Sequence, residues 1–308
     1  MQHINEYVKG HAKTSAFLLG VSTALGFAPL YWWPVSLLSL AVFFRLVFGK
    51  QAQQTRPFKS ALMLGWVFGT GFSLASLWWI GASFRYTPLG WWAVAAAPFT
   101  ITGLAALMGL WYMAVIGGAS KLQPILPLWA FPIIIALLWT LMEGLRSLSI
   151  YGLPWHLFGY IFAGNLYLIQ PATYGTVLIL SFLGVLFAAS LAADARKITV
   201  IYAFVVCAVF GLGALRVVGA PHLDTKAEAS LYQTSLRQDV KWQQPAYARA
   251  QENFNILQKA PKSSDIILLP ETAFTFLKEA QPNLAKRIDD ITPPNQSVIF
   301  GIPRTKNG

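Results

Sequence analysis

Glu271 is the carboxylate best placed to act as a base. It closes Leu268-Leu269-Pro270-Glu271, an apolar strand-like run ending in proline. Ligands of open α/β sheets gather at the carboxyl ends of the strands. A carboxylate there can serve as a general base, its proton affinity tuned by a partly dry site. The same residue also reads as an acid in the first turn of a following helix, favoured by the helix dipole. Glu143 and Arg146 stand three residues apart and can pair on one helix face. They read as a self-neutralising couple at a membrane interface, or as a substrate contact in which Arg146 meets a lipid phosphate. Gly152-Leu153-Pro154-Trp155-His156, then Phe158-Gly159-Tyr160, reads as an interfacial aromatic anchor or as a wall for acyl chains. Trp242 stands in a polar stretch, where it packs on its own domain or touches membrane or substrate. Cys207 has no base or cation nearby to make a thiolate, so it reads as a buried apolar cysteine. His3, His11, His156 and His222 lack metal-ligand spacing, so neither a metal nor a cofactor is expected.

The elements that must position these residues are mostly apolar. The chain has 308 residues, 56% hydrophobic and 11% charged, with a mean hydropathy of +0.52. Soluble domains carry about a quarter charged residues. Runs near 14–30, 32–48, 60–81, 91–118, 124–142, 171–193 and 198–218 predict about seven membrane helices, the first two short and sharing a proline-containing hairpin. Segment 143–170 is aromatic but broken by Gly and Pro, and reads as re-entrant or interfacial. Residues 1–219 hold 12 Lys/Arg and 3 Asp/Glu, whereas 220–308 hold 11 and 9. The net charge of +11 thus resides mainly in the apolar part. That is a topology signal and argues against a nucleic-acid partner. Lys9, Lys13, Arg45, Lys50, Arg56, Lys59, Lys121, Arg196 and Lys197 fall on one side, Arg85, Arg146 and Arg216 on the other. Basic loops stay cytoplasmic, so the N-terminus is expected inside and the tail outside, in the periplasm of a bacterium.

The tail alternates. Strands are expected at Ala229–Ser235, Ile266–Leu269 and Ser297–Ile302, with helices at Pro245–Lys259, Thr272–Ala280 and Asn283–Ile291. This is an incomplete α/β layer with a parallel component and an open edge. Ending at Lys306-Asn307-Gly308, it reads as cut in mid-loop, and the sequence is expected to be truncated.

In order and spacing, several short motifs together resemble the bacterial apolipoprotein N-acyltransferase family. They are Gly26-Phe27-Ala28-Pro29 with Trp33-Pro34, Glu143-Gly144-Leu145-Arg146, Gly152-Leu153-Pro154-Trp155 with Phe158-Gly159-Tyr160, Tyr232-Gln233, Lys241-Trp242 and Leu269-Pro270-Glu271. The resemblance implies a multi-pass α-helical membrane bundle over 1–219. It further implies, over 220–308, the first part of a periplasmic nitrilase-like (carbon–nitrogen hydrolase) α-β-β-α sandwich. It implies a bacterial inner-membrane monomer that moves an acyl chain from a phospholipid donor to a diacylglyceryl-apolipoprotein acceptor through a thioester. Glu271 matches the glutamate of the family's Glu–Lys–Cys triad. Trp242, Trp155, Arg146 and Glu143 are the candidate substrate-binding residues. No cysteine follows Glu271, none of Lys278, Lys286 and Lys306 sits in the triad context, and Thr234 stands where the family often has Gly. The 308 residues alone are therefore expected to be inactive. Two other classes fit the residues: a non-catalytic transporter or scaffold with a periplasmic binding tail, and a membrane-anchored nitrilase-like amidase. A coupled-ion transporter is disfavoured because the spans carry almost no charges.

Overall fold

The computed structural model describes residues 11–49, 58–87, 90–148, 153–193, 195–220, 227–233 and 246–304, apart from the side chains of 246–249 and 285. The chain divides into two compact units, Met1–Ala220 and Pro221–Gly308.

The first unit is helical. Its long helices are α1 (Ala12–Thr23), α2 (Trp33–Phe48), α3 (Phe58–Leu77), α4 (Trp91–Leu122), α5 (Phe131–Leu148), α6 (Ala172–Ala192) and α7 (Arg196–Val218). The five from α3 to α7 are long and apolar enough to cross a membrane. Of the seven expected spans, the first two therefore fall short: α1 has 12 residues and α2 has 16, against the roughly 20 a crossing needs. The Gly26–Pro29 region and the Pro34 start of α2 take up the missing length as a 3-10 turn and loop. The fifth helix is also displaced. Pro124 and Pro127 hold 123–130 in a 3-10 turn and loop, so α5 begins at Phe131 and runs on to Leu148.

Aromatic rings fill the bundle interior. Phe43 stacks on Phe68 at 4.0 Å, and Trp139 meets Tyr112 edge-on at 5.0 Å. Close approach of α3 to α4 depends on Gly69, where a Cβ would lie 2.7 Å from that of Tyr112. The helix ends sort by residue type. At one end Gln123 Nε2 donates to the Phe48 carbonyl at 2.9 Å, Phe48 meets Phe131 and Lys121 sits over Phe58. Arg45, Lys59, Arg196 and Lys197 belong to helix turns at that end. At the other, Trp79 contacts Trp155 and Trp33 contacts Phe162. Trp32, Trp78, Trp91 and Trp92 are exposed there, as an interfacial belt requires.

The second unit holds a three-stranded parallel sheet of β1 (Ala229–Leu231), β2 (Ile266–Leu268) and β3 (Ser297–Ile299), in that spatial order. Helices α8 (Ala246–Lys259) and α9 (Pro282–Ile291) follow β1 and β2. Ser230, Ile267 and Val298 share one face, with Ile267 buried in a core that includes Phe254, Phe274 and Ile288. Leu231 and Ile299 share the opposite, exposed face. The helix expected over Thr272–Ala280 is absent, replaced by turns and bends.

Candidate functional site

Glu271 sits two residues past Leu269, whose N–H still donates to the Ile299 carbonyl at 3.0 Å. It therefore lies at the carboxyl end of the central strand. Its turn is held from three directions. Ala273 N–H donates to the Pro270 carbonyl, Phe274 N–H donates to the Gly301 carbonyl, and the buried Asn253 amide of α8 donates to the Ala273 carbonyl at 2.7 Å. Thr272 adopts φ 53°, a left-handed conformation that costs a β-branched residue on the order of 1–3 kcal/mol. Gly301 makes this possible, since a Cβ there would stand 2.6 Å from the Thr272 nitrogen. These bonds to Gly301, just past β3, and to α8 take the backbone groups a helix over 272–280 would have used. The dipole explanation for Glu271 falls with that helix. The carboxylate is exposed to solvent, not partly dry as a tuned base would be.

The second cluster is interior to the bundle. Glu143 and Arg146 lie in the last two turns of α5 and are both fully buried, at 0% and 1% exposure. This corrects the interfacial reading of the pair. The reason is that segment 153–162 folds back over the helix. Glu143 Oε1 accepts from Trp139 Nε1 at 3.0 Å and from the Phe158 N–H at 2.7 Å. The Ser181 hydroxyl of α6 accepts the Gly159 N–H at 2.8 Å. Arg146 Nη1 bonds to the His156 ring. An arginine only donates, so the ring nitrogen facing it must carry a lone pair. Burial first, and then the Arg146 charge, hold His156 well below the usual imidazole range.

Of the sequence candidates, Glu143 and Arg146 thus come together with the segment that carries Trp155. Trp155 itself is exposed and meets Trp79 at 5.5 Å. Trp242 lies outside the described residues. Cys207 is exposed on α7, not buried; it is an apolar-helix residue facing outward, where lipid would lie. Trp139, Ser181 and His156 were not singled out from sequence as partners. Only Trp139, four residues before Glu143 and so on the same helix face, carried a local signal.

Comparison with known proteins agrees with the bundle's motifs. The family model described as the apolipoprotein N-acyltransferase N-terminal domain matches residues 19–190. Among curated proteins, the apolipoprotein N-acyltransferase of Rickettsia typhi is 28% identical over 94% of this chain and 58% of its own length. That of Rhodopseudomonas palustris is 28% identical over 94% and 56%. That of Nitrosomonas europaea is 30% identical over 87% and 53%. The chain therefore spans little more than half the length of these relatives. A match over 94% of the chain also extends well into the second unit. With more than half of its residues matched by the family model, the chain belongs to the apolipoprotein N-acyltransferase family.

Proposed function

We propose that the chain serves lipoprotein maturation at the bacterial inner membrane, by moving a phospholipid acyl chain to the amino group of an apolipoprotein's diacylglyceryl-cysteine. The bundle is the membrane part, with its basic end cytoplasmic and its aromatic end outside. Residues 220–308 contribute the first part of a periplasmic nitrilase-like domain. The chain acts as a monomer on two lipidated substrates that arrive laterally.

Glu271 is the general base. Its carboxylate takes the proton of a cysteine thiol, and the thiolate attacks the phospholipid ester carbonyl. The tetrahedral oxyanion is stabilised by a cation, and its collapse expels the lyso-lipid alkoxide, which recovers the proton. The thioester then passes its acyl group to the free amine. Residues 272–308 contain no cysteine, so this sequence supplies the base and not the thiol. Activity is proposed for a polypeptide that carries both. The observation that carries the reading is the position of Glu271, an exposed carboxylate at the carboxyl end of the central parallel strand, on a turn fixed by Asn253 and Gly301. Its exposure fits a base that becomes enclosed only when the rest of a site covers it. Trp155, exposed beside Trp79, is the better surviving candidate for an acyl-chain contact; Glu143 and Arg146 act from inside the bundle.

The test fuses residues 1–308 to the remaining part of the Rickettsia typhi relative and follows acyl-thioester formation and peptide N-acylation in membranes. Glu271→Gln should abolish the thioester while the fusion stays folded. Normal acylation by that variant would remove Glu271 from the mechanism.

A further inference from the structure

We infer that Glu143, Arg146 and His156 form a proton-sensitive latch that positions segment 153–162, with its exposed Trp155, on the aromatic end of the bundle. The inference does not depend on Glu271 or on the acyl-transfer reading.

Segment 153–162 is held by three polar contacts to helix side chains: Phe158 N–H to Glu143, Gly159 N–H to Ser181, and His156 to Arg146. The first two are backbone donors with no other acceptor in a buried, aromatic setting, and leaving them unmade is costly. His156 is 1% exposed and Arg146 is 1% exposed. Among the described residues, the charge that acts on the imidazole is that of Arg146 on α5, and Arg146 in turn lies near Glu143 on α5 and Tyr112 on α4. From α3 the ring meets Phe72, at 5.8 Å. With a neutral imidazole, one carboxylate and one guanidinium share the pocket. A proton on His156 removes the lone pair that Arg146 uses. It also places a second buried cation beside the first. Undocking the segment returns the imidazole to water, where it can be protonated freely.

The sign follows from the proton count. The docked state keeps His156 neutral, and the undocked state binds a proton below about pH 6.5. Docking is therefore complete above that pH and weakens as the pH falls, by up to about tenfold in the opening equilibrium per pH unit. In the orientation proposed above, the latch faces the outside of the cell membrane.

The experiment is hydrogen exchange of the 308-residue chain in nanodiscs of zwitterionic phosphatidylcholine, between about pH 7.5 and pH 5 and corrected for intrinsic exchange. Amides of 157–162 should lose protection in acid while those of the α3–α4 core keep theirs. His156→Gln, whose amide oxygen accepts from Arg146 at every pH, should keep the segment protected throughout. His156→Ala should leave it open at both ends of the range. A wild-type segment whose protection does not change with pH, or a His156→Gln variant that follows the wild-type course, overturns the latch. If His156→Gln unfolds the bundle, the wild-type comparison decides: selective loss over 157–162 supports the latch, and uniform loss across the core overturns it.

Discussion

The two units treat their key carboxylates in opposite ways. Glu143 is sealed inside the bundle, with indole and backbone donors to its carboxylate and a guanidinium nearby. Glu271 stands exposed on a turn whose backbone is fixed by the surrounding fold. A carboxylate that serves the architecture is surrounded by it. The other carboxylate has its main chain held at a strand end and its side chain at the surface. The difference teaches that one unit encloses its carboxylate among helices while the other displays one at a strand end.

The largest effect should come from Glu143→Ala. It leaves Arg146 buried without its neighbouring carboxylate and strips the Phe158 N–H of its acceptor. A loss of about 3–5 kcal/mol is expected, read by chemical unfolding in detergent micelles. A change no larger than a surface substitution would erase the contrast between the units. Gly301→Val should be intermediate. Its side chain collides with the Thr272 nitrogen, and overpacking of this kind costs about 1–3 kcal/mol. Hydrogen exchange should rise over 269–277 and stay unchanged in the bundle. Glu271→Gln should be smallest, within about 0.5 kcal/mol of wild type. A large destabilisation there would make Glu271 a structural acid after all and bring the two units back together.

Much of this architecture can be read from the chain. Apolar run lengths locate the seven long helices of the first unit, and the strand positions expected from the alternating tail contain β1, β2 and β3. Tryptophan pairs mark one end of the bundle and lysines the other. What could not be read was where the chain folds back. Residues 143–170 look like a membrane-surface loop because Gly and Pro interrupt them. In space, 153–162 dock on α5 and α6 through donors whose acceptors lie 15 and 22 residues away. Nothing local encodes such a contact. Residues 272–280 failed for a related reason. Ala-Phe-Thr-Phe-Leu-Lys-Glu-Ala has helical composition, but bonds to Gly301, just past β3, and to α8 outbid that propensity. Cys207 shows a third limit. The uniformly apolar α7 does not reveal from its sequence which side faces inward.

Leu231 and Ile299, bare on the flank of β2 away from α8 and α9, also govern how the small unit can be handled. Among the described residues its two outer strands, β1 and β3, pair on one side only and carry those greasy side chains, which is the arrangement that drives edge-to-edge self-association. Residues 221–308 released from their membrane tether should clump in a concentration-dependent way. Detergent-free preparations of that piece would then report on stickiness rather than on the chemistry of Glu271.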